Sequence, residues 1–376
     1  MAAKRKTDGA PAAAPAAPDA QRPPAEIACA DELARLREDD TSPRPPGWRL
    51  SPKAVRAFIL GDPARGIRKK FVGNPSLVDR AMVALATNRG LIFVGEPGTA
   101  KSLLSELLCA AICDRSTLTI QGSAGTTDDQ IKYSWNYALL LAEGPTPRAL
   151  VPAPLYTAMK EGLLVRFEEI TRCPLEIQDS LLASLSDRVL AIPEMEGPDA
   201  MLFAREGFNV IATANTRDLG VNEMSAALKR RFNFETVFPI ADPQLELELV
   251  AAETRRLLQR SGVTTLFGAD ILELLVFTFR ELRAGLTADG KALERPSAAM
   301  STAEAVSVAY AVGVRAHFLG DGPATPADLV DCLSGAAVKG DKDDLLRLRH
   351  YFEQRIAKID RPHFQAYYQA RHRLEG

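Results

Sequence analysis

Leu91-Ile92-Phe93-Val94-Gly95-Glu96-Pro97-Gly98-Thr99-Ala100-Lys101-Ser102 passes from four apolar residues through a loop with two glycines to a lysine and a serine. Leu103-Leu104-Ser105-Glu106-Leu107-Leu108 continues it as a helix-like run. Buried strand, glycine-bearing loop and helix start, in that order, are the context of a phosphate-binding P-loop. Backbone N–H groups of the loop and of the first helical turn, through Leu103, point inward to cradle phosphate oxygens, and the helix dipole adds favourable potential. Lys101 is placed to reach the β- and γ-phosphates of ATP, and Ser102 to put its hydroxyl on Mg²⁺. The pattern GxxxxGK[ST] carries Gly directly before Lys, where this chain has Ala100, so the motif reads GxxGxAKS. The extra methyl is tolerated if φ at Ala100 stays negative.

The chain around this loop is long enough for one large or two medium domains, and 46% apolar residues supply an ample core. A formal net charge of -2 gives no electrostatic case for nucleic acid as a main partner. Cys29, Cys109, Cys113, Cys173 and Cys332 include no CxxC pair and no zinc spacing, which reads as reduced thiols of a cytoplasmic protein. No apolar stretch approaches the ~20 residues a membrane span needs. Residues 1–47 are Ala- and Pro-rich and read as a disordered tail, within which Ile27 to Arg37 can form a short helix.

Upstream of the loop, helices are expected at Leu50 to Leu60 and at Ser76 to Thr87, the second with Val78, Ala81, Met82 and Leu85 on its apolar face. Downstream, Leu118 to Gln121 and Leu163 to Phe167 read as strands. The second ends in Glu168-Glu169 and precedes an amphipathic helix from Pro174 to Asp187, repeating the βα logic of a parallel sheet. Val189 to Pro193 and Met201 to Ala204 flank a turn and read as a hairpin, while Phe208 to Asn215 and Glu235 to Phe238 add two more strands. From Ala241 on, only helical patterns remain: Pro243 to Arg260, Gly268 to Arg283, Ser301 to Phe318, Pro326 to Val338 and Asp341 to Ile359. The fold class is α/β over residues 48–240, followed by an all-α domain over 241–376.

ATP hydrolysis needs a metal clamp, a polarised water and positive charge on the transferring phosphate. Glu168 takes the metal-facing position beside Ser102, and Glu169 orients the water. Asn215, at the tip of a strand expected between the P-loop strand and the acidic strand, can touch both the water and the γ-phosphate. Lys229-Arg230-Arg231-Phe232 is a basic cluster whose value depends on whether it faces a nucleotide.

GEPGTAKS, FEEITRCPLEIQDSLLASLSDR, VIATAN and NEMSAALKRRF together resemble a MoxR-type AAA+ ATPase from about Lys69 onward. The resemblance implies a five-stranded sheet of order 5-1-4-3-2 flanked by helices, a C-terminal helical lid, and a ring, usually a homo-hexamer. Arg231 would then act as a finger on the neighbour's ATP, with Arg230 as its substitute, and Val72 and Gly73 would line the adenine site. Segment 122–154 would be an insert in helix 2, and the hairpin from Val189 to Arg205 a further insert facing a pore or a client. Where the family usually has Asp, this chain has Glu168. The lid arginine expected after Pro296-Ser297 is replaced by Ala303, with Arg295 nearby as a substitute. The implied activity is ATP-driven remodelling of a client, commonly through a partner with a von Willebrand factor A domain. Two alternatives are a nucleotide-gated scaffold with little turnover and a DNA motor of the MCM kind. Near-neutral charge and the acidic hairpin tip count against the motor.

Overall fold

The computed structural model describes residues 20–215, 223–264, 268–297, 300–320, 322–338 and 342–374. Nine strands occur among them: β1 (Gly90–Gly95), β2 (Thr119–Gln121), β3 (Tyr133–Trp135), β4 (Leu150–Pro152), β5 (Leu164–Glu168), β6 (Val189–Ala191), β7 (Met201–Phe203), β8 (Asn209–Asn215) and β9 (Phe232–Thr236). Five of them form one parallel sheet in the order β2-β5-β8-β1-β9. Counted in chain order within that sheet, this is 5-1-4-3-2. β1 and β8 are buried nearly throughout because helices cover both faces of a parallel sheet, so neither set of side chains meets water.

Local chemistry starts the helices around the sheet. Ser51 caps Pro52–Leu60 by accepting from Ala54 N–H, and Asn74 caps Pro75–Leu85 by accepting from Ser76 N–H. The expected face of Val78, Ala81, Met82 and Leu85 is buried. The P-loop helix Lys101–Cys113 is buried along almost its whole length under the sheet and the N-terminal segment. The segment expected as one helix from Pro174 to Asp187 is divided into Leu175–Asp179 and Leu182–Ser186. Ser180 lies at the break, and its hydroxyl donates to the Ile177 carbonyl, competing with the helical ladder.

The tail expectation is corrected for the part that lies within the described residues; residues 1–19 lie outside them. Ala25–Ala28 and Ala30–Asp39 are helices. Leu33 and Leu36, three residues apart, are 1% and 0% exposed and join the core cluster that runs from Ala25 to Val237. Burying each is worth about 1.5–3 kcal/mol, one part of what offsets the cost of ordering the helix. Polar anchors fix the docking: Ser116 N–H and Oγ donate to Glu26 at 3.0 and 2.6 Å, and Lys70 Nζ donates to Glu32 at 2.5 Å. The short helix expected from Ile27 to Arg37 falls within these two helices; the Ala/Pro-rich average of residues 1–47 conceals that the stretch is docked on the core.

A second cluster, from Val250 to Leu374, is built almost wholly from helices. It contains Pro243–Arg260, Ala269–Ala284, Thr302–Leu319, Pro326–Ala337, Lys342–Gln354 and an additional helix, Pro362–Gln369, that was not expected. The two inserts are each built on an antiparallel strand pair, β3 with β4 and β6 with β7. Tyr133 Oη and Trp135 Nε1 both donate to Glu194, at 2.9 and 3.4 Å, so an acid of the hairpin tip ties one insert to the other.

Candidate nucleotide site

Parallel strands place the ends that carry chemistry side by side. Gly95, the last residue of β1, is in register with Asn215, the last of β8, and β5 lies on the other side of β8. Asn215 therefore stands next to the start of the P-loop, on the strand between β1 and the acidic strand, as expected. Ser102 Oγ–H donates to Glu168 Oε2 at 2.6 Å, joining the start of the P-loop helix to the end of β5. Ser105 and Thr213 hydroxyls donate to the same carboxylate at 2.9 and 2.8 Å.

Arg166 completes this cluster and was missed in the sequence. Its guanidinium donates to Glu168 Oε1 at 2.7 Å, to Ser105 Oγ at 3.0 Å and to the Ser102 carbonyl at 3.0 Å. The signal was available: a lone cation in a buried strand, two residues before Glu168 and so on the same side of the sheet. Glu168 is 5% exposed. Burial pushes its carboxyl up. The hydroxyl of Ser102, the Arg166 charge and the hydroxyls of Thr213 and Ser105 together outweigh burial and hold it below the usual glutamate range.

Glu169 sits differently. It adopts a left-handed backbone, φ 55°, its N–H donates to Thr213 Oγ1 at 3.0 Å, and its carboxylate pairs with Arg172 Nε at 3.0 Å. The turn lies so close to the end of the neighbouring strand β2 that a Cβ on Gly122 would come within 2.3 Å of the Glu169 carbonyl oxygen. The two adjacent acids are thus separated: Glu168 faces Ser102, and Glu169 turns outward.

The loop itself carries a correction. Ala100 has φ 68°, in the left-handed region, and not the negative φ that the extra methyl requires. A left-handed non-glycine residue costs roughly 1–2 kcal/mol, and glycine offsets part of that gain with its own conformational entropy. Ala100→Gly is expected to stabilise the fold by about 1 kcal/mol. The measurement is a denaturant midpoint: it should rise with an unchanged slope, and a lowered midpoint would contradict the backbone assigned to this residue.

A cavity of about 370 Å³ lies beside the loop, within the size range of small-molecule sites. Glu96 to Ala100, Leu103, Val72 and Ala303 line it. Gly73 does not: a Cβ there would strike the Phe71 ring at 2.6 Å, and Phe71 is the residue that reaches the cavity. Lys101, 7% exposed, donates to the carbonyls of Gly95 at 3.0 Å and Glu96 at 2.7 Å. The helix Thr302–Leu319 comes down on the loop, and a Cβ on Gly98 would meet Ser301 Cβ at 2.1 Å. The lid arginine expected after Pro296-Ser297 is absent, and the nearby Arg295 does not take its place at the cavity. Arg295 donates to the Ala284 carbonyl at 2.5 Å and is not among the lining residues, whereas Arg283 lines the cavity while held by both oxygens of Glu246.

Arg231 is far from this site in its own chain. Gly90 N–H donates to the Arg231 carbonyl at 2.9 Å, so Arg231 lies at the start of β1, and the loop begins at the end of it. Five residues of strand separate the two by roughly 16 Å. Arg231 Nε donates to Ser186 Oγ at 2.6 Å, and Arg230, next to it, is exposed.

Comparison with known proteins follows the same division. Residues 90–232 match the AAA domain (dynein-related subfamily), and residues 244–375 match the YehL-like AAA+ ATPase C-terminal domain. The uncharacterised protein YehL of Escherichia coli (strain K12) is 62% identical over 354 residues, covering 94% of this chain and 98% of that one. An uncharacterised protein of Staphylococcus aureus (strain USA300) is 29% identical over 145 residues, 39% of this chain and 54% of that one. Among solved structures, NtrX from Brucella abortus in complex with ADP aligns with a TM-score of 0.49 and 12% identity. The alignment covers 80% of this chain and 64% of that chain, less than two thirds of its length. No helix among the described residues is long and apolar enough to cross a membrane.

Proposed function

We infer the function from the premise that this chain belongs to the YehL-like family of AAA+ ATPases: it binds ATP with Mg²⁺ and hydrolyses the nucleotide to remodel, mature or activate a client protein. The observation that carries this reading is the 2.6 Å contact between Ser102 and Glu168, which unites the P-loop and the acidic strand in one site. Ser102 and Glu168 present hard oxygens, the donor type Mg²⁺ takes, and the ion would supply charge neutralisation at the β- and γ-phosphates. Lys101 exchanges its two loop carbonyls for phosphate oxygens. Glu169 leaves Arg172 to orient the attacking water, and Asn215 holds that water against the γ-phosphate. Arg166, through Glu168 and Ser105, fixes the acid beneath the helix start.

The finer reading follows the MoxR-type resemblance: a cytoplasmic ring, usually a hexamer, working with a partner that bears a von Willebrand factor A domain. A second reading, a nucleotide-gated scaffold with little turnover, is favoured by one observation. Arg166 already neutralises Glu168, and this longer acid stands where the family usually has Asp. Turnover on an assembled sample separates the two.

Paired carboxamide variants test the assignment. Glu169→Gln keeps the shape of the side chain and removes the charge that polarises water, so it should bind ATP normally and lose hydrolysis by about 10²-fold or more. Glu168→Gln should instead raise the Mg²⁺ concentration needed for half-maximal turnover. Exchanged phenotypes would assign the metal to Glu169 and the water to Glu168.

A further inference from the structure

We propose that the N-terminal segment Arg22–Cys29 is the wall of the nucleotide site against which base and sugar rest, a role that deepens the ATP-binding reading and depends on it. Phosphates belong at residues 95–102, so base and sugar must occupy the rest of the cavity. That remainder extends along the P-loop helix past Leu103 and Leu107. The segment crosses the helix at Glu106, five residues beyond Lys101 and so about 7.5 Å along the axis. Ala25 N–H donates to Glu106 Oε1 at 3.1 Å, and Arg22 Nη2 donates to Oε2 at 2.9 Å. Pro23, Ala25, Ala28 and Cys29 then face the cavity as an apolar surface.

The wall is fastened on both sides of the cavity. On the core side, Glu26 accepts from Ser116, and Glu106 supplies a buried carboxylate to an N–H at the start of the helix Ala25–Ala28, which has no partner within so short a helix. On the lid side, Arg260 Nη2 donates to the Gln21 carbonyl at 2.9 Å, from the helix whose Leu249, Glu253 and Arg256 also line the cavity. Arg22 is mostly exposed, and its ion pair contributes little by itself. The buried amide-to-carboxylate bond and the apolar surface carry the effect.

The test uses the full chain and three probes: ATP, ADP and inorganic tripolyphosphate, which has the phosphates without base or sugar. Ala28→Trp changes an exposed side chain on the cavity wall, so folding is kept. It should weaken ATP and ADP by about tenfold or more, equivalent to about 1.4 kcal/mol, and leave tripolyphosphate affinity within about twofold. Glu106→Ala releases the wall and should speed ADP dissociation while sparing tripolyphosphate. Unchanged ATP affinity in Ala28→Trp would overturn the proposal, as would equal losses for ATP and tripolyphosphate. A wild-type protein that binds none of the three probes would instead overturn the ATP-binding reading itself, and the wall with it.

Discussion

Lys101→Ala is expected to reduce ATP affinity by on the order of 10²-fold or more while the protein stays folded. The ammonium is the one side-chain cation of the P-loop, in a site largely withdrawn from water. Removing one partner of a desolvated charge pair costs about 3–5 kcal/mol, because the remaining charges are left without compensation. Here those charges are the β- and γ-phosphates. Folding depends on it far less, since the side chain contributes two hydrogen bonds to loop carbonyls and the sheet is packed by apolar residues. Calorimetric titration with ATP and a thermal melt measure the two halves of this expectation. Wild-type affinity in the variant would remove the P-loop assignment, and collapse of the melt would mean that Lys101 is structural.

Arg231→Ala should lower turnover on the order of 10³-fold or more and leave ATP binding nearly intact, as expected for a cation that acts on charge developing in the transition state. The geometry would make such a role intermolecular. Arg231 stands beside Gly90 at one end of β1, and the loop that binds phosphate begins beyond Gly95 at the other. Roughly 16 Å of strand is too far for a guanidinium to reach its own nucleotide. A finger role for Arg231 would therefore need a neighbour's site. The measurement mixes inactive Arg231→Ala subunits with inactive Glu169→Gln subunits. An interface with an intact Glu169 on one side and an intact Arg231 on the other should hydrolyse ATP. No recovered turnover in demonstrably mixed assemblies, or full turnover from a strictly monomeric sample, would remove both the finger and the ring.

The strand, loop and helix of the P-loop, the acid pair after a buried strand, the hairpin at β6 and β7 and the change to helices after Ile240 could all be read along the chain. Each is written in local period and turn chemistry, which neighbouring residues specify without help from distant ones. Other features depend on contacts between residues far apart. Arg166 acquires meaning only when β5 lies beneath the P-loop helix and brings it to Ser102 and Ser105, more than sixty positions earlier. The N-terminal helices are ordered by Leu33 and Leu36 meeting the core, and by Glu26 reaching Ser116 at a separation of 90 residues. Arg283, and not Arg295, lines the cavity because the lid helices turn one toward the loop and pin the other to the Ala284 carbonyl. The left-handed backbone at Ala100 is likewise imposed by closing the loop onto its helix. The sequence by itself therefore determined the class of fold and most of the candidate residues, since propensity and periodicity act within a few positions. Tertiary structure alone decided which of those residues meet, which face away, and which distant segment closes the site, because burial and charge pairing depend on neighbours that only folding provides.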